Sequence, residues 1–219
     1  MAINLSWNAA ADKKFESGLD RGVLYVASAG AYPTGVAWEG LINVTEKPSG
    51  AEVTDLWANN AKYAQLISVE TFDISIEAYT YPDEFLACLG IIPDVTDGGV
   101  LLHQQARSTF AICYRTYLGS DALGQTANYK IHIVYGLVAQ PSEIARSTIN
   151  DSPEASTFTF EAKSTPVAVT GMDPLSKITI DESVLSASNL TALEETIYGD
   201  DVPTTPSLPL PDALLALLT

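Results

Sequence analysis

Alternation of apolar and polar residues with a period of two dominates this sequence. In the run 71–78 the apolar residues occupy every second position: Phe72, Ile74, Ile76 and Ala78. Successive side chains of a strand point to opposite faces, so this pattern is typical of a strand with one buried face. The pattern recurs in the runs 36–45, 110–118, 128–137, 157–161 and 178–180, and the run 22–27 predicts a strand buried on both faces. The chain is therefore predicted to be mainly β.

The alternation changes phase within the run 66–79. Ile67 and Val69 are apolar at odd positions, whereas the apolar positions from Phe72 onward are even. Because the side-chain period is two, a slip near Glu70 and Thr71 indicates a β-bulge or a bend in one long strand. Long bent strands fit a curved sheet, and one bulge also fits an ordinary twisted sandwich, so both interpretations stay open.

Helices are predicted in two places. The first covers 82–89, with Pro82 and two acidic residues in its first turn and Gly90 after its end. The second covers 188–198, with Ser188 as its N-cap and a glycine after its last turn.

Two segments are predicted to be irregular. The segment 46–62 is a long connection that carries Leu56 and Trp57, and connections of this length are often functional. It either contacts a neighbouring subunit or folds back on its own core. The segment 200–219 holds four prolines and ends in leucines, which fits a tethered arm that docks its leucines elsewhere or a disordered tail.

The charge balance argues against nucleic-acid binding. The chain has 27 acidic and 11 basic residues and a net charge of −16. Only Lys13 and Lys14 are adjacent cations, so no basic cluster could neutralise a run of phosphates. The acidity either repels phosphates or merely keeps the protein in solution.

The N-terminal residues and the cysteines indicate a protein made in the cytoplasm, neither exported by the usual signal nor inserted in a membrane. The first residues lack the charged and apolar regions of a signal peptide, and no apolar run reaches the roughly 18 residues of a membrane-spanning helix. Cys88 and Cys113 have no metal-ligand spacing. Two free thiols are expected, with a single disulfide left open.

No motif for catalysis, metal binding or cofactor binding is present. His103 and His132 lack patterned partners and are expected to be structural or solvent-facing. Gly98, Gly99 and the run 119–124 are typical of hairpin turns. A carboxylate pair such as Glu70 and Glu77 arises by chance among 27 acids, so we expect no enzymatic activity, no catalytic residue, no metal and no cofactor.

Several segments resemble the major tail protein, or tail tube protein, family of siphophages, mostly those of Gram-positive hosts. The most specific segments are 77–85 (Glu-Ala-Tyr-Thr-Tyr-Pro-Asp-Glu-Phe) and 152–154 (Ser-Pro-Glu). Others are 19–25, 35–41, 113–116 and 129–136, and the resemblance spans about 15–182.

The resemblance implies a β-sandwich with a flanking α-helix, whose inner sheet joins its neighbours into a barrel-like tube. Residues 1–182 would form this tail-tube domain, and 183–219 a C-terminal helix with a Pro/Leu-rich arm. Hexameric rings would stack into a hollow tube through which double-stranded DNA is ejected into the host without specific binding. Further partners would be the tape measure, tail terminator and distal tail proteins, in a virion assembled in the host cytoplasm without membrane contact.

Two sets of site residues follow from the resemblance together with the strand pattern. The segment 46–62 would join successive rings, through Glu52, Val53, Thr54, Asp55, Leu56, Trp57, Asn59 and Asn60. Candidates for the lumen are polar strand residues, namely Asp73, Ser75, Glu77, Thr157, Thr159 and Glu161. Cyclic symmetry would repeat each lumen acid around the ring and so oppose DNA adhesion. The alternative is a monomeric β-sandwich binding or adhesin module, which predicts exposed aromatic residues near strand ends and no self-association.

Overall fold

The computed structural model describes residues 13–68, 70–94, 99–121, 124–144, 146, 148, 155–200 and 204–218. Strands account for 54% of the described residues and helices for 14%, which confirms the predicted mainly-β class. The strands are β1 Lys14–Val26, β2 Gly35–Ala37, β3 Leu41–Ser49, β4 Val53–Ala58, β5 Ala61–Ile67, β6 Thr71–Ala78, β7 Ile92–Pro93, β8 Leu101–Leu102, β9 Phe110–Ser120, β10 Gly124–Ala139, β11 Phe158–Ser164, β12 Val167–Val169, β13 Met172–Leu175 and β14 Lys177–Asp181. The helices are α1 Phe85–Leu89, α2 Ala187–Tyr198 and α3 Pro211–Leu217, and a 3-10 turn covers Glu182–Val184.

The main antiparallel sheet has the strand order β2-β1-β9-β10-β11-β6-β3, and β14 also pairs with β10. One edge of β10 pairs with β9. The other edge is shared, because residues 130–134 pair with β14 and residues 137–139 pair with β11. The sheet therefore divides along β10 into sheet I (β2-β1-β9-β10-β14) and sheet II (β11-β6-β3).

Gly136 lies at this division of β10. Its φ is +64°, and a Cβ added to it would lie 2.2 Å from the backbone oxygen of Thr165. The register between β9 and β10 shifts here, between Val134 and Leu137. Leu137 consequently faces the same core as Val134 and not the core of Tyr135, so the prediction that one alternation runs unbroken through 128–137 is wrong at its end.

The inner core lies between the two sheets and contains α1. Phe85 and Cys88 of α1 are fully buried, and the Phe85 ring meets those of Phe110 and Phe160 edge-on at 5.3 and 5.0 Å. The predicted helix exists but begins at Phe85, because residues 82–84 form a turn before it. It ends as predicted at Gly90, whose φ is +72°.

The outer core lies on the other face of sheet I, under the C-terminal elements. Leu193 and Ile197 of α2 and Leu214 of α3 are fully buried against this face. Within the described range 204–218, Leu208 and Leu214 thus dock on the chain's own sheet, whereas Leu210 is exposed. The α2 helix covers nearly the predicted span, with Ser186 and not Ser188 accepting the capping hydrogen bond from the Asn189 N–H.

Two runs predicted as single strands are each divided. The run 36–45 breaks at Trp38–Gly40, where the chain crosses from sheet I to sheet II through Gly40, with a φ of +78°. The run 66–79 is the end of β5 and the start of β6, so its phase slip marks the break between two strands and not a bulge within one. Val69 lies outside the described residues.

The strand directions define two ends of the molecule. One end is called the cap end. The strands that finish there are β1, β6 and β10, and the strands that begin there are β3, β9 and β11. The helix α1 follows directly after β6 at this end. At the opposite end, called the hairpin end, β3 leads into β4 and β5 leads into β6. The β4–β5 hairpin and α1 are therefore at opposite ends of the same strands.

Candidate assembly interface

The segment 46–62, predicted to be irregular, is regular β structure. Residues 46–49 belong to β3, and β4 and β5 form an antiparallel hairpin. At the hairpin base, the Ser68 N–H donates to the Glu52 oxygen at 3.0 Å and the Glu52 N–H donates to Ser68 Oγ at 2.9 Å. Asn59 and Asn60 at the tip both have positive φ, of 52° and 62°, as a two-residue hairpin turn requires. This Asn-Asn pair is the sequence signal from which the hairpin could have been predicted.

The hairpin exposes apolar side chains on both faces. None of residues 53–67 is buried. Trp57 and Tyr63 keep 70% and 74% of their surface in solvent, and Val53, Leu66 and Ile67 are also exposed. For residues 53–62, the alternative in which the segment folds back on its own core is therefore wrong. Contiguous exposed apolar surface of this kind marks an interaction site.

The hairpin contains every residue predicted for ring stacking. Glu52 lies at its base, 53–57 lie in β4, and Asn59 and Asn60 form its tip. Lys62 lies opposite Trp57 in the register, and its Nζ is 2.7 Å from Asp55 Oδ1. The role of the predicted residues, 52–57, 59 and 60, in ring stacking stays a prediction.

The residues predicted for the lumen come together on the polar face of sheet II. Glu77 of β6 pairs with Thr159 of β11, and Ser75 pairs with Glu161, whose side chain accepts a 2.9 Å hydrogen bond from Ser75. Thr157 lies just before β11 and is exposed. The described helices pack elsewhere, in the inner core and against sheet I, which leaves this face uncovered by them.

Sequence reasoning missed the third strand of this face. Lys47 of β3 is the register partner of Asp73, and its Nζ lies 2.8 Å from Glu161 Oε2. This lysine lowers the pKa of the Glu161 carboxyl. With Asp73, Glu77 and Glu161 against Lys47 and Lys163, the face carries three negative and two positive charges, a net −1.

A polar cluster closes the inner core toward the hairpin end. Glu46 of β3 points inward and accepts hydrogen bonds from the Tyr114 hydroxyl and from Lys177 of β14, which ties sheet II to sheet I. His132 stacks on Tyr114 at 5.0 Å, and its Nε2 is 2.8 Å from Thr116 Oγ1. Burial, aided by Lys177, lowers the pKa of His132. His132, expected to be either structural or solvent-facing, is therefore structural.

A cleft at the cap end is the second exposed apolar surface. It has a volume of about 480 Å³ and lies between α1 and the β7–β8 pair. Two exposed carboxylates, Asp83 and Glu84, line it together with apolar residues. We call it the cap cleft, and its apolar lining residues are Leu86, Ala87, Ile91, Ile92, Pro93 and Leu101.

The two cysteines are free and buried in different cores. Cys88 belongs to the inner core and Cys113 to the outer core, so sheet I separates them. This arrangement rules out the disulfide left open by the sequence.

The described residues lack two further kinds of functional feature. These residues include no group of three or more His, Cys, Asp or Glu side chains suited to a metal ion. Their helices include none long and apolar enough to cross a membrane.

Comparisons with solved structures include two components of one contractile injection system. No protein-family model and no curated protein matches the chain. The chain is similar to a component of the PVC sheath–tube complex of an extracellular contractile injection system in its extended state, at 12% identity and a TM-score of 0.36, covering 74% of this chain and 88% of that one. It is also similar to a component of the sheath/tube terminator of that system, at 11% identity and a TM-score of 0.35, covering 73% and 93%. The resemblance to siphophage tail proteins stays a prediction.

Proposed function

We propose that this chain is a structural subunit of a hollow tail tube, assembled from hexameric rings that stack through the β4–β5 hairpin. The observation that carries the proposal is the hairpin itself, a regular ribbon that projects from the sheets with apolar residues on both faces. A monomeric protein rarely maintains such a surface in solvent. Burial against a second copy would remove it from water.

The position of the hairpin favours head-to-tail stacking. The hairpin lies at one end of the strands and the cap cleft at the other. A contact between two different surfaces of identical subunits is heterologous, and it repeats indefinitely when the operation does not close. Such a contact produces a filament, which is the geometry of stacked rings.

The sheet edges offer the contact within a ring. The strand order places β3 at one edge and β2 at the other, and β2 covers only residues 23–25 of the long strand β1. Unpaired strand edges favour pairing with another chain. In our proposal, edges of neighbouring subunits join around the ring and the polar face of sheet II lines the lumen.

The charges of that face suit the passage of DNA without adhesion. Its net charge is negative, and Lys47 is held by Glu161. Tight DNA binding requires several cations that neutralise phosphates together. The proposed assembly belongs to a virion tail, with tape measure, terminator and distal tail proteins as its further partners, and without membrane contact or enzymatic activity.

Electron microscopy and size-exclusion chromatography of the purified protein test this proposal. We expect rings or tubes from the natural chain. Deletion of residues 53–60 should abolish tubes while leaving the unfolding midpoint nearly unchanged, because none of these residues is buried. The circular dichroism spectrum should lose only the strand signal of the hairpin. Val184→Ala, at an exposed apolar residue outside the hairpin, is the matched control and should assemble normally. A stable monomer at high concentration, or normal tubes from the deletion variant, would contradict the proposal.

The exposed aromatic residues support one other candidate, a monomeric binding module. Trp57 and Tyr63 lie on one hairpin, and exposed aromatic side chains often contact ligands such as carbohydrates. This candidate predicts a monomer whose tryptophan fluorescence changes on ligand binding. The same chromatography separates the two functions.

A further inference from the structure

We propose that the cap cleft of one subunit receives Trp57 from the hairpin of a second copy, with Lys62 of that hairpin beside Asp83 and Glu84 at the cleft. This inference rests on the proposed function, because it names the surface on which a stacking hairpin docks. It commits to one occupant, a second copy of this chain.

The first argument is the placement of the two surfaces. The hairpin extends β3 and β6 at their Ser49 and Thr71 ends, whereas α1 follows the opposite end of β6, at Ala78. A subunit cannot fill its own cleft with its own hairpin across the length of these strands. Two copies aligned head to tail bring the surfaces together.

The second argument is the match in size and chemistry. Trp57 presents a large, mostly exposed indole, and tryptophan is among the residues that most often anchor protein interfaces in apolar pockets. The cap cleft, at about 480 Å³, has room for one aromatic ring system and has aliphatic walls. Exposed Ile92 and Leu101 extend those walls at the surface.

The third argument is the match in charge. Lys62 is the register partner of Trp57, so a hairpin that inserts Trp57 brings an ammonium group to the same place. Within the described part of the chain, Asp83 and Glu84 have no ion-pair partner, whereas Lys62 contacts only Asp55 of its own hairpin. Opposite charges at the edge of an interface fix its register more than they raise its affinity.

Cross-linking tests the contact without requiring tubes. A Lys62→Cys copy is mixed with an Asp83→Cys copy under mild oxidation, and a Lys62→Cys copy mixed with a Val184→Cys copy is the control. Cys88 and Cys113 are buried and do not compete. We expect disulfide-linked dimers from the first mixture at about tenfold or more the yield of the control, because a docked contact raises the effective concentration of the two thiols. Equal yields would overturn the cleft as the docking site.

Charge reversal tests the same contact during assembly. Lys62→Glu alone and the pair Asp83→Lys with Glu84→Lys should each lower tube yield, because like charges then meet at the interface. The triple variant, which reverses both sides, should recover most of the natural yield. If the triple variant loses as much tube yield as the two single-side variants together, the pairing is contradicted. The unfolding midpoint of each monomeric variant is the control that it is folded.

The outcomes separate this inference from the proposed function. Tubes from the natural chain with no specific cross-link would leave the tube standing and refute the cleft. A specific cross-link from a chain that forms no tubes would retain the contact and refute the tube. Absence of both would refute both.

Discussion

Replacement of Gly136 by alanine tests the division of the sheet along β10. Gly136 has a φ of +64°, and the left-handed region costs an L-residue about 1–2 kcal/mol. The added Cβ would lie 2.2 Å from the Thr165 backbone oxygen, and relieving an overpacked contact costs about 1–3 kcal/mol. Two hydrogen bonds are also at risk, from the Thr165 N–H to the Gly136 oxygen and from the Gly136 N–H to Tyr32 Oη, at about 0.5–1.5 kcal/mol each.

We therefore expect Gly136→Ala to lower the free energy of unfolding by about 3–6 kcal/mol, allowing for partial relaxation and for the reduced entropy of the unfolded alanine chain. Gly171→Ala is the matched control. Gly171 has a similar φ of +77° but nothing within 4 Å of an added Cβ, so its loss should be about 1 kcal/mol. Equilibrium urea unfolding followed by tryptophan fluorescence gives both values. Equal losses for the two variants would show that β10 is not constrained at Gly136.

Two further predictions concern the buried thiols and one ion pair. Burial raises the pKa of both Cys88 and Cys113 to about 12. A thiol reagent at pH 8 should therefore label neither cysteine in the folded protein and both in denaturant. Rapid labelling of either cysteine before unfolding would contradict its burial. Arg115, whose Nε and Nη2 contact the two Asp20 oxygens at 2.8 and 2.6 Å, lowers the pKa of Asp20 below its ordinary 3.8. The unfolded state therefore binds the proton more readily, and the stability from Asp20 is present above pH 3.8 and is lost as the pH falls through the lower folded value. Asp20→Asn should cost about 1.5–3 kcal/mol at pH 7 and much less in acid, measured by urea unfolding across pH, and a loss independent of pH would contradict the ion pair.

The polar face of sheet II shows how far strand periodicity reaches. Alternation placed Asp73, Ser75 and Glu77 on one face of β6, and the structure puts them there. The same pattern did not reveal that Lys47 of β3 lies beside them, because strand pairing joins residues far apart in sequence. The charge of the face, and thus the case for its place in the lumen, depends on that pairing.

The β4–β5 hairpin shows where strand periodicity fails to predict structure. The length of the segment 46–62 and the family resemblance point to the hairpin residues, yet the sequence predicts an irregular connection and not a regular hairpin. Its apolar residues face solvent on both sides, so the period-two signal of a half-buried strand is weak there. The left-handed Asn59-Asn60 turn, and not hydrophobic periodicity, specifies the ribbon.

The sequence by itself determined the mainly-β class, the buried face of β6, and the helix ends at Gly90 and Gly199. These features depend on local chemistry, namely side-chain alternation and the backbone freedom of glycine. The alternation in 110–118 predicts one buried face, whereas β9 is buried on both, because it lies between the two cores. Only the tertiary structure decided that β10 serves two sheets, that α1 enters the core, and that the hairpin and the cap cleft lie at opposite ends. These features depend on which distant strands pair and in which register, and that choice is made by packing across the whole chain.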